Sequence, residues 1–449
     1  MAAGAAEELA APAAQAPTST LALLFPVTYR ANAVGHMEVG GCDLVELARE
    51  HGTPLYVYDE ATVRQRASEY VAAMGSAGQV LYSAKAFASP HFLRVVAEEG
   101  LGLDVVSAGE LHLAVKSGFP QDRIHFLGNN KSRQDLEAAH DAGATVVIDG
   151  DYEFELLREI VPEGKRMPVM LRLSPGVKPD THDHISTGQL DSKFGFSIES
   201  GAARRAIEQA LAHPRLELVG LHSHIGSQIF ALSAYQDAMK IMLDLLVQLR
   251  DELHYEPRKL GAGGGLGIAY TRNDDPPTPR EFVEVVHRAL VIGCGERGLK
   301  VPQMVVEPGR SIAGPAGMAL YTVGSIKDIP GVRRYVAVDG GMGDNIRPKL
   351  YGARYEAFLA SDPDRAPDGK VTIAGKYCES TDILITDIAM PPLQPGDIIG
   401  LPAAGAYCLA MASNYNGMPR PEVLMLRDGK ARVMRRRETF DDLVAAEVF

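Results

Sequence analysis

Cysteine is scarce in this chain. Its four copies, Cys42, Cys294, Cys378 and Cys408, are scattered over 449 residues and none forms a C-x-x-C pair. In a chain this long that argues against a disulfide framework and points to reduced thiols in a cytosolic, cytoplasmic compartment. Positive charge is also in deficit. Lys and Arg number 45 against 57 Asp and Glu, a net charge of −12, so no broad basic face for nucleic acid is expected, although a local pocket for small anions remains compatible. No apolar run reaches the roughly 18 residues of a membrane span. Residues 1–22 carry two Glu but no Lys or Arg, which fits neither a secretory signal nor a mitochondrial presequence and reads as a disordered tail. The glycine run "GAGGGLGIAY" (261–270) has Leu266 where a third dinucleotide-binding glycine belongs, so a nicotinamide fold is poorly supported.

What is present is ordinary globular texture, with 46% hydrophobic and 23% charged residues. The length exceeds a usual single core and predicts about two domains. Eight short apolar runs recur: "VLYSAKAF", "LGLDVVSAG", "RIHFLGNN", "TVVIDG", "MPVMLRLSP", "LVGLHSHIGS", "KLGAGGG" and "MVVEPGR". Amphipathic stretches such as "AYQDAMKIMLDLLVQLRDEL" separate them. Strands alternating with helices eight times predict a (β/α)8 barrel over residues 51–314, with an open doubly wound sheet as the alternative. From 315 to 449 the texture turns to short strands with turn signals ("MALYTVGSIKDI", "KVTIAGKYCES", "EVLMLRDGKARVMRR"), which predicts an antiparallel β domain. The strand-like segment 23–50 is expected to join it, making that domain discontinuous.

A barrel gathers chemistry at the C-terminal ends of its strands. Lys85 sits at such an end with no acidic neighbour in sequence, and Asp104, Asn129, Arg172, "HSHIGSQ", the glycines and "EPGR" occupy others. His222 and His224, two apart, would share one face of a strand. They read as a metal site, as an imidazole on a planar ligand with a structural partner, or as two satisfied histidines. Gly264 and Gly265 suit an anion cradle or merely a tight turn. Glu307 could hold a proton on a ring nitrogen and Arg310 could fork onto a phosphate or carboxylate; a surface ion pair is the plainer reading. Cys378 beside Glu379 is a thiol next to a carboxylate, and Tyr407 could reach a ligand. The polar, Gly-containing stretch 186–195 suits a loop closing over the site.

Taken together, "YSAKA", "HSHIGSQ", "GGGLGIAY", "EPGRSI", "DGGMGDNIRPKLY", "YCESTD" and "GAYCLAMASNYN" closely resemble the fold-type III pyridoxal-phosphate decarboxylases, and within them the diaminopimelate decarboxylase family, over roughly residues 23–445. The resemblance implies an alanine racemase-like architecture, a barrel plus a β domain, in a homodimer with shared active sites. It implies pyridoxal 5'-phosphate bound covalently through Lys85, whose amine pKa desolvation would lower. Glu307 matches the ring-nitrogen partner and His224 the stacking imidazole. Ser227, Gly264, Gly265, Gly309, Arg310 and Tyr407 match cofactor contacts, with Asp104 an acid nearby. Cys378 resembles the proton donor, supplied from the partner subunit. Arg310, Arg347, Tyr351 and Tyr407 match substrate-binding positions, and Glu379 matches the distal-ammonium contact. The implied reaction is decarboxylation of meso-diaminopimelate to L-lysine. A decarboxylase of ornithine, arginine, lysine or carboxynorspermidine, a metal-dependent barrel hydrolase and a non-catalytic pyridoxal-phosphate carrier are the alternatives.

Overall fold

The computed structural model describes residues 24–177 and 192–448. The tail expected over 1–22 and most of the loop expected over 186–195 lie outside these described residues.

All eight apolar runs form parallel strands: Gly78–Ser83, Gly102–Val105, Ile124–Phe126, Thr145–Ile148, Met167–Ser174, Leu216–Ser223, Lys259–Gly263 and Gln303–Val306. They pair in chain order, and the eighth closes on the first, with Met304, Val305 and Val306 beside Gly78, Gln79 and Val80. The sheet is a closed barrel rather than an open doubly wound one. Local chemistry sets the helices between strands. Ser89 caps Pro90–Glu98, with proline in the first turn where its missing N–H costs nothing. Ser107 caps Ala108–Ser117, and Gly118 ends it at φ 76°, a conformation that disfavours a Cβ. Helix Ser233–Leu253 buries Tyr235, Met239, Met242, Leu246 and Leu249 along one stripe.

The second domain is built on the strand Gly317–Ile329, which pairs antiparallel with Leu55–Asp59, Arg333–Val338 and Ile398–Leu401. Two pairings are parallel: Leu55–Asp59 with Glu422–Arg427, and Arg333–Val338 with Gly369–Ala374. The domain is thus mostly, not wholly, antiparallel. Strand Leu55–Asp59 also displaces the boundary expected at residue 51. All five of its residues are buried, so it reads like a barrel strand, yet both its partners lie in the β domain. The barrel begins with helix Glu60–Met74.

Residues 24–50 form a small sheet of their own, Arg30–Ala31, Met37–Val39 and Cys42–Asp43. It docks onto the β domain through Met37 N–H to Ala360 O (2.8 Å) and Gly429 N–H to Gly40 O (2.8 Å). Leu24, Phe25, Met37, Val39 and Leu44 share an apolar cluster with Leu55, Val57, Met318 and Phe358. Helix Arg310–Ala316 runs from the last barrel strand directly into Gly317–Ile329, so the β domain is carried at the barrel mouth.

Candidate active site

Lys85 lies on a short 3-10 turn, Ala84–Ala86, immediately beyond the first barrel strand. Three contacts fix that turn. Ser83 N–H donates to Pro308 O (3.0 Å) and Tyr407 N–H donates to Ala86 O (2.8 Å). Gly309 completes the set: a Cβ there would lie 3.0 Å from Ala86 Cβ and Ser83 Cβ. Tyr407 itself sits at φ 60°, a backbone conformation unusual for a residue with a side chain. The β domain therefore grips the lysine turn directly.

Closure of the barrel sets carboxylates around this amine. Asp104, on the second strand, accepts from Ser83 Oγ (2.6 Å). Glu307 follows the eighth strand, and its Oε2 pairs with His222 Nε2 (2.9 Å). Burial pushes the Asp104 carboxyl up to about 6, against the pull of Lys85. Glu307 goes the other way. Burial opposes its charge, but His222 and Lys85 outweigh burial and hold it below the usual carboxylate range. The expectation that desolvation lowers the Lys85 pKa is overturned. Burial does act in that direction, but Asp104, Tyr407 and Glu307 prevail and hold the amine above its ordinary value. Those carboxylates are adjacent only because strands one, two and eight are neighbours in the closed sheet.

The two histidines do not act as a pair. Strand Leu216–Ser223 ends before His224. His222 is buried against Glu307, whereas His224 Nδ1 accepts the Gly264 N–H (3.3 Å). Burial, then Lys85, Arg172 and His222, keep the His224 ring well below the ordinary imidazole value, hence neutral. Among the described residues no three His, Cys, Asp or Glu side chains gather as a metal-binding cluster.

The glycines after the seventh strand are forced by backbone approach. A Cβ on Gly264 would lie 2.0 Å from Glu307 O, and one on Gly265 (φ +103°) 2.2 Å from Gly226 O. Ser227 stands beside them and accepts from Arg310 Nη2 (2.8 Å). Arg310 Nη1 donates to Tyr270 OH (2.6 Å), and its guanidinium lies 4.7 Å from the Tyr407 ring centroid. Arg347 opens a short helix, Arg347–Tyr351, in the β domain. Its guanidinium stacks 4.5 Å from the Tyr270 ring and donates to Tyr355 OH. Tyr270 thus joins two buried arginines from different domains. Neither arginine makes an ion pair with a carboxylate among the described residues, and the Nε of each is buried without a hydrogen-bond partner there. Sequence reasoning assigned nothing to Tyr270, although it ends the quoted glycine run, nor to Tyr355.

Tyr351 is half-buried on the Arg347 helix. Cys378 is exposed and Glu379 half-buried on the turn between Gly369–Ala374 and Ile383–Met390. Cys378 N–H donates to Asn416 Oδ1 (2.8 Å), and Glu379 Oε1 accepts from Thr381 N–H (3.1 Å). That backbone bond, with the Thr381 hydroxyl, lowers the Glu379 pKa. Among the described residues no hydrogen bond or ion pair links these two to the Lys85 cluster.

The mouth fits pyridoxal phosphate on its own chemistry. It offers one amine, a glycine-lined backbone cradle with Ser227, a neutral imidazole, and a buried carboxylate whose second oxygen, Glu307 Oε1, has no hydrogen-bond partner among the described residues. Comparisons agree. A family model for "Pyridoxal-dependent decarboxylase, pyridoxal binding domain" matches residues 60–314, beginning where helix Glu60–Met74 begins. Diaminopimelate decarboxylase of Bacillus subtilis is 48% identical over 427 residues, covering 94% of this chain and 97% of that protein. The Mycobacterium tuberculosis enzyme is 44% identical, covering 95% and 98%. The crystal structure of diaminopimelate decarboxylase from M. jannaschii matches with TM-score 0.87 at 33% identity, covering 94% and 98%, and it is also known in co-complex with L-lysine. From fold, mouth and these relatives alike, the chain belongs to the diaminopimelate decarboxylase family of pyridoxal-dependent decarboxylases.

Proposed function

We propose that this chain removes one carboxyl group from meso-diaminopimelate, at its D-configured centre, releasing CO2 and L-lysine. The carrying observation is the pair of buried arginines, Arg310 and Arg347, meeting at Tyr270 without a carboxylate partner among the described residues. A buried guanidinium with unused donors favours a carboxylate or phosphate ligand. A diamine precursor without a distal carboxylate gives the second arginine no purpose.

Pyridoxal phosphate, when bound, supplies the electron sink for breaking the carbon–carbon bond. The chain's own residues do the rest. Lys85 anchors the aldehyde, and Asp104 keeps a negative charge facing that amine. Glu307, whose Oε1 is free of other partners among the described residues, would hold a proton on the ring nitrogen. His224 offers its flat neutral face. Gly264, Gly265, Ser227, Gly309 and Tyr407, with Arg310, would hold the phosphate. Arg347 and Tyr351, with Arg310, hold the substrate's distal carboxylate, and Glu379 holds its distal ammonium.

Cys378 delivers the proton to the carbon that has lost CO2. Its exposure and distance in contacts from Lys85 fit delivery into the partner's site, in a cytoplasmic homodimer whose two sites are each built from both subunits. The test is lysine and CO2 release from meso-diaminopimelate, with Lys85→Ala and Cys378→Ala variants assayed alone and mixed. Each alone is expected to be nearly inactive, and the mixture to regain part of the activity through hybrid dimers with one complete site. Turnover of ornithine but not diaminopimelate would overturn the substrate. A mixture as inactive as its components would overturn the shared site.

A further inference from the structure

His222 is the half of the H-x-H pair for which the reaction above has no use, yet the barrel is shaped around it. Its side chain is 1% exposed. Gly261 across the sheet leaves room for the ring: a Cβ there would lie 2.7 Å from His222 Cδ2. The first glycine of "GAGGG" thus serves the histidine rather than an anion. His222 Nε2 meets Glu307 Oε2 at 2.9 Å, while Glu307 Oε1 is buried with no partner among the described residues.

We propose that His222 is a positioning residue that acts through Glu307: it donates Nε2–H to Oε2, fixes the carboxylate plane, and leaves Oε1 aimed at the cofactor's ring nitrogen. This rests on the reading of Glu307 given above. A carboxylate accepts only, so the tautomer with the proton on Nε2 is the one that satisfies the pair. The arrangement parallels the outer partners that orient and tune a metal's ligands. The groups facing His222 are Glu307, Asp104, His125 and His224, with Arg172 its register neighbour. His125 does not substitute: among the described residues it makes no hydrogen bond to Glu307, and its buried Nδ1 has no partner there. No other donor reaches Glu307 Oε2 among the described residues.

The experiment compares His222→Phe, His222→Gln and Glu307→Gln. It reads cofactor affinity, the pH dependence of bound-cofactor absorbance, and the thermal midpoint of the cofactor-free protein. His222→Phe is expected to weaken cofactor binding roughly 10- to 100-fold, the worth of one buried charge-assisted hydrogen bond. It should also shift the absorbance titration in the same direction as Glu307→Gln. His222→Gln keeps an N–H at similar reach and should restore most of both. Glu307→Gln shifted but His222→Phe unchanged would overturn the role of His222 alone. Glu307→Gln itself unchanged would overturn the reading of Glu307, and the proposal with it. A fall in thermal midpoint that His222→Gln shares, with neither titration nor affinity moving, would reduce His222 to packing and overturn the proposal. If His222→Phe does not fold, His222→Leu takes its place, and a wild-type titration in either variant is decisive against it.

Discussion

Replacing Arg347 by methionine removes a guanidinium while keeping most of the stem that packs on Tyr270. Arg347 is 4% exposed, stacks 4.5 Å from Tyr270 and spends one donor on Tyr355 OH. The remaining donors can fork onto a carboxylate, and two charge-assisted bonds would be worth about 3–6 kcal/mol. Arg310 stays behind to share the anion, so the lower end applies: about 3 kcal/mol, or roughly 150-fold in kcat/KM for diaminopimelate. Folding should not suffer in proportion. A buried cation without a carboxylate partner is replaced by apolar volume at little cost, and Tyr355 OH keeps Cys408 Sγ at 3.4 Å. The assay pairs steady-state kinetics with competitive inhibition by lysine, which retains the distal carboxylate, and by 1,5-diaminopentane, which does not. The parent chain should prefer lysine, and Arg347→Met should erase that preference with its thermal midpoint intact. Unchanged kcat/KM, or an undiminished preference for lysine, would refute the assignment.

Two further outcomes follow from geometry already given. Gly264→Ala sets a Cβ 2.0 Å from the Glu307 carbonyl oxygen, a clash no rotamer relieves. An overpacking cost of about 1–3 kcal/mol should appear as roughly 5- to 150-fold weaker cofactor retention, read by absorbance after gel filtration; full retention would contradict it. Asp344 is buried in the β domain, accepting from Tyr321 OH (2.5 Å), Tyr56 OH (3.0 Å) and Gly341 N–H (2.9 Å). Burial still pushes it up to about 6. A carboxyl raised on folding costs stability when ionised, so the parent chain should lose stability relative to Asp344→Asn as pH rises from about 4 to 6. The difference, about 3 kcal/mol, should level off above that range. Denaturant melts at several pH values test this, and a pH-independent difference would exclude it.

The barrel strands were legible because each is a short apolar run buried on both faces and set apart by helical periodicity. Leu55–Asp59 carries the same signature, and nothing local to "LYVYD" shows that its neighbours arrive at Gly317 and Glu422. Lys85 was legible as a lone lysine just beyond a buried strand. The direction of its pKa was not, because Asp104 lies 19 positions and Glu307 222 positions further along the sequence, and both reach it only after closure. Tyr270 was hidden for a similar reason: its role is to join arginines held by different domains. The glycines were legible as a run, but their division of labour, Gly261 for a histidine and Gly264 for a carbonyl, is a matter of which atoms face them.

Strand Leu55–Asp59 also imposes an order on biosynthesis. It is made early, but the strand that flanks it on one side emerges roughly 260 residues later and the other roughly 360 later, contacts of very high sequence separation. At roughly 5–20 residues per second on the ribosome, the nascent strand waits on the order of tens of seconds with both edges open. The barrel can close in that interval. Tyr407, which grips the lysine turn, and Arg347, to which the proposal assigns the distal carboxylate, are still unmade. On that assignment, substrate discrimination is the last property the growing chain acquires, and an exposed apolar strand is the hazard it carries until then.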